Sequence, residues 1–556
     1  MDRVAAWVRK ASRVVRWRTL LLAMLLHSAG KLGLMWYRIQ RFKRLTKHLP
    51  GHELDITAKQ TIQNIKRLND WNAEMVLPFR KSPSGLVRTP APGPEVSAVS
   101  PKAVEVVLNS KMMTKPDSAT DGVFALMHEF LGDGVFTLRH GTQVPEQEHL
   151  NWRDQRKTTS KIFTRHSFNT TMEQVFQRKG ESLLGAIQAT VDKDDTIDVQ
   201  DLFHKFTMDS IQKIFFNTEV DSITRGTDPY ARNFDAANRE LMRFLGEALP
   251  LQMLSYCALP WPFGILAQGR ADYSLATLWL HMTSSSYAKF HEAVRLLRKD
   301  TLERVKKIRA DPNLDDREDL ISKFLTSDKS YSDEELCDIS LNLIIAGRDT
   351  TAITLTWFFF EMAKHPDIQA KLIQEVDEVL GDKTPSAENV AASSMPYLQG
   401  CLFETLRLHP AVPTNVKIAL GDVQFPDGTV IPKGTGVTYS PYLLGRNPDV
   451  YDEPLEFRPE RWIPFKDPTM FEFPVFQAGP RFCLGKDMAK MEAKMVVATI
   501  LQRFKFNFAK HNGPRVSRPE ECTYALSITL SLCDSLDQTS HNLWLKPSLR
   551  TDKIRA

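Results

Sequence analysis

Residues 476–485 read FQAGPRFCLG, and this stretch around Cys483 decides how the rest of the chain is interpreted. Its glycines and proline disfavour both helix and strand, so the stretch is predicted to be a shaped loop. Residues 486–504, which follow directly, have the period and the propensity of a helix. Cys483 therefore precedes a helix N-terminus, where unpaired N–H groups and the helix dipole favour a thiolate. Taken alone, the stretch also fits a buried structural cysteine.

The composition of the 556-residue chain is that of an ordinary globular protein, with 42% hydrophobic and 25% charged residues. Its six cysteines are scattered, and no two of them form a C-x-x-C pair. This spacing argues against a disulfide framework and against a zinc cluster, and it favours a reducing compartment for the folded part.

The formal net charge of +5 hides an uneven distribution. Residues 1–47 contain twelve Lys or Arg and one acid, Asp2, which gives +11 and leaves 5 − 11 = −6 for the remainder. Because the basic character comes from the N-terminal segment, it does not indicate nucleic-acid binding, and no nucleic-acid partner is expected.

The N-terminal segment contains a mostly apolar run, residues 19–37, that is interrupted by Lys31. Nineteen helical residues span about 28 Å, close to the thickness of a bilayer core. We expect a transmembrane anchor at 19–37, preceded by a basic segment at 1–18 and followed by a basic stop and hinge at 38–55. A mitochondrial presequence and an interfacial helix are the alternatives, because the N-terminus is rich in Arg and poor in acids.

Helical patterns dominate up to about residue 410, and the longest begins with a capping box formed by Ser332 and Glu335. That helix is predicted to run for more than thirty residues until His365-Pro366 ends it. Ser100 and Pro101 predict a second helix start. After residue 410, Asp427-Gly428 predicts a hairpin, and residues 524–532 and 541–547 suggest a late strand pair. We expect one mainly helical domain with a small β portion at 56–532, and a C-terminal extension at 533–556.

Three further motifs precede the cysteine loop in a fixed order. They are AGRDTT at 346–351 in the long helix, ETLR at 404–407 on a later helix, and FRPERW at 457–462 in an irregular stretch. With the pattern F-x-x-G-x-R-x-C-x-G, they resemble the cytochrome P-450 haem-thiolate monooxygenases over about residues 50–532. The resemblance implies the P-450 fold and an oxygen-inserting enzyme that uses O2 and NADPH-derived electrons.

The resemblance also implies a site for haem b. Cys483 would be the axial thiolate ligand of the iron, and nearby N–H groups would tune it. Phe476, Gly479 and Gly485 complete the loop pattern, and the two glycines would let the loop pass close to the haem. The residues resembling cations or donors for a haem propionate are Arg481, Trp152 and Arg156. For Trp152 and Arg156, an amphipathic helix face is the alternative.

Two further groups of residues gain a role from the resemblance. Glu404, Arg407 and Arg461 are similar to a buried three-charge lock whose role is structural, since removal of one member leaves a buried charge unpaired. Thr350, with Asp349 beside it, resembles the pair that delivers protons in the distal pocket. The alternative for Thr350 is a helix residue whose hydroxyl only bonds to a carbonyl one turn back.

Within the family, the motifs are most similar to the plant and fungal hydroxylases that oxidise long-chain fatty acids at or near their terminal carbon. Lys417 departs from that branch because many relatives have an arginine there, and residues 140–151 lengthen a loop. Ala346 implies that the haem is not covalently attached. The tunnel residues expected from the resemblance are Phe130, Val135, Leu343, Val412 and Leu526. A sterol, terpenoid or xenobiotic hydroxylase is the main alternative; a hydroperoxide isomerase or lyase and a haem sensor are others.

The resemblance implies a redox partner, a membrane-bound NADPH-cytochrome P-450 reductase, with cytochrome b5 as a second candidate donor. The expected location is the endoplasmic reticulum membrane with the catalytic domain in the cytosol, and mitochondria are the alternative. Basic residues near the haem-binding segments could form a docking face, although each also fits a solvated helix face. These residues are Arg153, Lys157, Lys161, Lys486, Lys490 and Lys494.

Overall fold

A computed structural model describes most of the chain from residue 36 onward. The described ranges are 36–52, 67–89, 94–116, 122–138, 152–161, 171–257, 284–509 and 543–550, together with isolated positions 30, 33, 34, 60, 64 and 163. The predicted anchor at 19–37 lies largely outside these ranges. Within them, no helix is both long enough and apolar enough to cross a membrane.

Helices form most of the described structure. In chain order they are α1 (Leu68–Val76), α2 (Pro101–Asn109), α3 (Gly122–Leu131), α4 (Trp152–Ser160), α5 (Glu173–Asp192), α6 (Val199–Phe216), α7 (Ser222–Arg225), α8 (Pro229–Cys257), α9 (Ser285–Arg309), α10 (Leu320–Leu325), α11 (Asp333–Lys364), α12 (Pro366–Leu380), α13 (Pro396–Leu408), α14 (Pro441–Gly445) and α15 (Lys486–Leu501). The predicted start at Ser100 is confirmed, since its side chain accepts a hydrogen bond from Ala103 N and Pro101 is the first residue of α2.

The long helix α11 is confirmed at 32 residues, with both hydrogen bonds of the capping box at Ser332 and Glu335. It lies against α6, α9, α13 and α15, so it is surrounded by other helices. This position explains its sequence, because a helix that is buried on most sides is apolar on most sides. Polar residues on α11 therefore need partners inside the protein, and these partners define much of the site.

The strands form three small sheets, and the hairpin at Asp427-Gly428 is confirmed. Gly428 has a φ of +88°, and the strands on either side pair antiparallel. The strands are β1 (Leu86–Arg88), β2 (Glu95–Ala98), β3 (Met113–Thr114), β4 (Ile197–Asp198), β5 (Asn415–Ala419), β6 (Val423–Gln424), β7 (Val430–Ile431), β8 (Gly436–Tyr439), β9 (Phe504–Phe508) and β10 (Trp544–Leu549). The five-stranded sheet has the order β1-β2-β8-β5-β3, and its β2 and β8 pair in parallel.

The C-terminal strand β10 belongs to the core, although the sequence suggested an extension from residue 533. It pairs antiparallel with both β9 and β4, and Leu545 within it is fully buried. The buried Arg550, directly after it, forms an ion pair with the half-buried Asp377 of α12. The partner predicted from the sequence, residues 524–532, lies outside the described residues. The strand therefore closes the sheet by contacts that are distant along the chain.

The segment predicted as a basic stop and hinge is packed against the domain over much of its length. Residues 36–45 are helical, and Phe42, Thr46 and Leu49 are buried. Arg41 forms an ion pair with Asp422 near the β6–β7 hairpin. These contacts fix where the chain leaves the domain on its way toward the N-terminal segment.

Candidate active site

The cysteine loop lies where the sequence predicts it, with Gly485 as the N-cap of α15. The Cys483 amide donates to the Phe476 carbonyl at 2.7 Å, which closes the loop on itself. Burial raises the pKa of the Cys483 thiol above its usual value, against a backbone hydrogen bond involving Gly485 and the charge of Arg156. Burial therefore opposes the local preference of a helix N-terminus for a thiolate, on which the sequence prediction rests. A coordinated iron would supply the missing stabilisation.

The two loop glycines have different roles. Gly479 has a φ of +64°, and a Cβ there would lie 2.6 Å from the Leu108 carbonyl of α2. Glycine is needed at this position because a side chain would strain the backbone and collide with another backbone. At Gly485 φ is −86°, and a Cβ would meet only Phe163, at 4.0 Å. The polypeptide itself does not require glycine at Gly485.

Trp152 and Arg156 of α4 lie against the cysteine loop, and their role at a haem propionate stays a prediction. Arg156 Nη2 donates to the Phe482 carbonyl at 2.8 Å, and its guanidinium lies 4.5 Å from the Phe482 ring centre. The Arg481 guanidinium lies 4.1 Å from the Trp152 ring centre. Arg481 also donates to the carbonyls of Val135 and Leu138, at 3.0 and 2.8 Å.

Three cations that lie close together are the strongest indication that the site binds an anionic group. Burial lowers the pKa of Lys115 to about 7, of Lys417 to about 8 and of Arg481 to about 9. Repulsion adds to the effect, since Arg481 acts on both lysines and Arg156 acts on Arg481. None of the three belongs to an ion pair within the described ranges of the chain. Lys417 is buried, and Lys115 and Arg481 are half-buried. Desolvated cations without counter-charges are costly, and the two carboxylates of a haem would supply those charges. The donor set therefore fits haem.

Sequence reasoning identified Lys417 and Arg481 but missed Lys115. Lys115 follows the two-residue strand β3, which pairs with β5, the strand that carries Lys417. A single lysine after a short strand has no local signal, so only the strand pairing makes it visible. Arg156 is also near the group, since its charge acts on Arg481.

On α11, residues 345–347 and Thr350 remain partly exposed while their neighbours are buried, so one face of the helix borders open space. The Thr350 hydroxyl donates to the Ala346 carbonyl at 2.6 Å. This bond is compatible with both the proton-delivery role and the purely structural role of Thr350. A hydroxyl that donates within the helix still has lone pairs that can accept a hydrogen bond from water in the open space.

Asp349 points into a different, buried environment. Its carboxylate accepts from Arg348 Nη1 at 2.9 Å and from Asn238 of α8 at 3.3 Å. Arg348 also pairs with Asp235 at 2.5 Å. Burial raises the pKa of Asp349, while the charges of Arg348 and His204 oppose that rise. Adjacent residues on a helix point about 100° apart, so Asp349 and Thr350 do not share a face in this conformation.

The three predicted lock residues meet around Glu404. Arg407 donates to both Glu404 oxygens, at 2.8 and 2.7 Å, and Arg461 donates to Oε1 at 2.9 Å. Glu404 and Arg407 are fully buried. The structure adds Trp462, whose indole N–H donates to Glu404 Oε2 at 2.9 Å, a partner that the sequence did not indicate. The cluster joins α13 to the irregular stretch that leads to the cysteine loop.

Replacing Glu404 with glutamine is expected to lower the free energy of unfolding by about 3–5 kcal/mol, because two buried guanidinium groups lose their counter-charge. The measurement is a urea unfolding curve, together with the yield of haem-loaded protein. Glu378→Gln is the matched control, since Glu378 is exposed on the neighbouring α12. Equal stability of the two variants would show that the cluster is not a lock.

Of the predicted tunnel residues, Val135 and Val412 are half-buried and Leu343 is buried. Phe130 is buried, and its ring lies 5.6 Å from that of Phe234 and 6.3 Å from that of Phe290. Phe130 is therefore a core residue in this conformation, and it does not border open space. Leu526 lies outside the described residues.

Of the six predicted docking residues, three are exposed, two are half-buried and one is buried. Arg153, Lys157 and Lys161 are exposed, and Lys486 and Lys490 are half-buried. Lys490 pairs with Asp487 at 2.9 Å. Lys494 is buried, and burial lowers its pKa to about 8, so it does not belong to an exposed basic face. The other predicted docking residues lie on or directly after α4 and near the start of α15.

Comparison with known proteins places this geometry in a family context. The family model described as Cytochrome P450 matches residues 91–530. Cytochrome P450 CYP94D108 of Paris polyphylla is 30% identical over 456 residues, which cover 80% of this chain and 84% of that protein. Cytochrome P450 94A1 of Vicia sativa is 32% identical, with 68% and 70% covered. Cytochrome P450 86B1 of Arabidopsis thaliana is 31% identical, with 70% and 68% covered.

Proposed function

Because the chain belongs to the cytochrome P450 family, we propose that it hydroxylates long-chain fatty acids at or near their methyl end. The protein is a haem-thiolate monooxygenase. The substrate class is inferred from the motifs that resemble the plant fatty-acid hydroxylases, and the numbered subfamilies 94 and 86 among its plant relatives accord with this inference. The structural observation that supports the cofactor is the group of Lys115, Lys417 and Arg481, which has no carboxylate partner in the part of the chain that the structure describes.

When bound, the haem supplies the activation of O2 and the insertion of one oxygen atom into a C–H bond. Cys483 would hold the iron, and the N–H groups at the start of α15 would face the sulfur. Lys115, Lys417, Arg481 and Arg156 would hold the carboxylates and so orient the ring. The remaining work of the chain is to place the substrate, to exclude water and to supply protons.

Proton supply is proposed for Thr350 and Asp349. The Thr350 hydroxyl, held by the Ala346 carbonyl, would accept a hydrogen bond from a water molecule and so keep that water over the site. Asp349 would feed protons to this water from the buried side of α11 after its carboxylate leaves Arg348. The raised pKa of Asp349, which is caused first by burial, favours a carboxyl that can carry a proton.

Affinity for saturated fatty acids is expected to rise with chain length until the tunnel is full. Burial of each CH₂ is worth on the order of 0.8 kcal/mol, which is roughly a fourfold gain in affinity per carbon. The measurement is the spin-state shift of the haem on titration with acids of increasing length, with a sterol panel as the comparison. Equal affinity for short and long acids, or a shift with sterols alone, would reject the fatty-acid assignment and leave the monooxygenase class intact.

The proposed redox partner is a membrane-bound NADPH-cytochrome P-450 reductase, and exposed lysines on the cysteine side of the domain support this proposal. Charge reversal by Lys157→Glu with Lys161→Glu is expected to slow reduction severalfold at low salt, with a smaller effect at high salt, because docking would be electrostatic. The measurement is the rate of the first electron transfer. Lys433→Glu, exposed beside strand β7, is the control. Support of activity by a mitochondrial ferredoxin alone would reject the reductase.

The proposed location is the endoplasmic reticulum membrane, through an anchor at residues 19–37. The apolar run and its basic flanks support this proposal. Removal of residues 1–37 is expected to release the protein from membranes on high-salt washing. A protein that loses its N-terminus on import into mitochondria would support the presequence instead.

A further inference from the structure

The segment 131–138, which follows α3, is fixed to the buried helix α11 by two polar side chains of that helix. Asp338 Oδ2 accepts from the Asp133 amide at 2.9 Å. Asn342, one turn further along, accepts from the Phe136 amide at 2.9 Å and donates to the Leu131 carbonyl at 2.7 Å. One amide side chain thus satisfies an N–H and a C=O group that are five residues apart in the segment.

The fit between this segment and α11 is close enough to require glycine. A Cβ at Gly134 would lie 1.9 Å from Asn342 Nδ2, and a Cβ at Gly132 would lie 2.1 Å from the Asp338 carboxyl carbon. Gly132 also has a φ of +58°. The sequence LGDGVF at 131–136 therefore lets the backbone itself contact the polar groups of α11. A side chain at these positions would displace the segment or the Asn342 and Asp338 side chains, and either shift would disrupt the contact.

The carbonyl groups of the same segment hold the groups that surround the haem site. Val135 and Leu138 accept from the Arg481 guanidinium, at 3.0 and 2.8 Å. The Asp133 carbonyl accepts from Gln155 of α4 at 2.8 Å, and Gln155 is fully buried beside Arg156. The Lys115 ammonium lies 3.4 Å from the Phe136 carbonyl. One face of the segment thus contacts α11, and the carbonyls of Val135, Phe136 and Leu138 face the cation group.

We propose that Asn342 is a positioning residue for the haem. It holds segment 131–138 so that the Val135 and Leu138 carbonyls aim the Arg481 guanidinium at a haem carboxylate. Asn342 is eight residues before Thr350 on the same helix and is fully buried, so it acts on the haem only through the segment. The proposal rests on the family's haem and is independent of the substrate class.

The chemistry favours positioning over simple packing. A leucine at 342 would have similar volume, yet it would leave a buried N–H and a buried C=O of the segment without partners. The segment would then move to find other partners, and Arg481 would lose its two fixed acceptors. The Arg481 guanidinium is a rigid plane with five N–H donors, so two fixed acceptors are needed to hold it in one orientation.

The test uses the haem-loaded protein and two variants that disturb the contact from opposite sides. Asn342→Leu removes the polar group from α11, and Gly134→Ala places a methyl group against it. The controls are Ser340→Ala, whose hydroxyl bonds to the Leu336 carbonyl of its own helix, and Gly185→Ala, an exposed helix position with free space around it. The readouts are the rate of haem transfer to excess apomyoglobin and the midpoint potential of the haem.

Both variants are expected to speed haem transfer on the order of tenfold, since each disrupts buried hydrogen bonds of the segment. Both should also make the midpoint potential more negative. A displaced Arg481 places less positive charge near the haem, and the ferric form is then favoured over the ferrous form. The controls should stay within twofold and keep their potential. In an Arg481→Lys background, Asn342→Leu should speed haem transfer by less than a further twofold, because the contact of the rigid guanidinium with the two carbonyls is already lost.

A purely structural role for Asn342 would give a different pattern. Thermal stability would fall, while haem transfer and midpoint potential would match those of the controls. An effect of Asn342→Leu that is equally large in the wild-type and Arg481→Lys backgrounds would also overturn the proposal, because the action would not pass through Arg481. Neither result would bear on the fatty-acid assignment, which the spin-state titrations test separately.

Discussion

Replacement of Cys483 by alanine is expected to abolish monooxygenase activity. The iron would lose its thiolate, the ligand whose electron donation favours cleavage of the O–O bond. The remaining contacts of the haem would be the cation group and Trp152, which orient the ring and cannot replace the sulfur. The measurement is product formation with saturating reductase, alongside the haem content of the purified protein.

Cys401→Ala is the matched control for this variant, because Cys401 is also a free cysteine but lies fully buried in α13. It is expected to lose some packing energy and to keep the haem and its spectrum. Retention of turnover by Cys483→Ala would contradict the assignment of the ligand. Loss of turnover in both variants would indicate that cysteine removal acts through stability.

Replacement of Thr350 by alanine is expected to separate electron consumption from product formation. Positioned proton transfer is typically worth 10²–10⁴-fold, or roughly 3–5 kcal/mol of barrier. Without the hydroxyl, water over the site loses the group that holds it, and NADPH would be spent on hydrogen peroxide or water. Haem content and substrate affinity should stay close to those of the wild type. The measurement is product formed per NADPH consumed, with peroxide assayed in parallel.

Thr356→Ala serves as the control, since the Thr356 hydroxyl also donates to a carbonyl one turn back and is fully buried on the same helix. It should remain coupled. If Thr350→Ala also remained fully coupled, its bond to the Ala346 carbonyl would be its whole role. Asp349→Asn adds a further comparison, because it keeps the volume and removes the ionisable group that faces Arg348 and Asn238.

Sequence reasoning succeeds here where a feature depends on neighbours along the chain. The capping box at Ser332 and the turn at Asp427-Gly428 each need only a few consecutive residues. The cysteine loop is equally local, and the start of helix α15 after Gly485 follows from the composition of the residues around it. Such features are set by backbone preference and by hydrogen bonds within a few positions.

Contacts between distant segments have no signal in the local pattern, and only those that the family resemblance implies, such as Arg461 beside Glu404, could be predicted. Lys115 joins the cation group only because β3 pairs with β5, and Trp462 reaches Glu404 across 58 positions. The buried environment that raises the pKa of Cys483 is likewise a product of packing. The role of Gly134 depends on Asn342, more than two hundred residues later. These contacts are fixed by tertiary structure, for which single residues carry no local signal.

The thiolate at Cys483 is the central claim, and the absorption spectrum of the reduced wild-type protein under carbon monoxide tests it most directly. A haem held by a cysteine thiolate gives a Soret band that is strongly shifted to the red, and we predict that band in full proportion to the haem content. The Cys483→Ala protein should lack it. A wild-type spectrum with the unshifted band of a histidine-ligated or thiol-ligated haem, in protein that is folded and haem-loaded, would contradict the account.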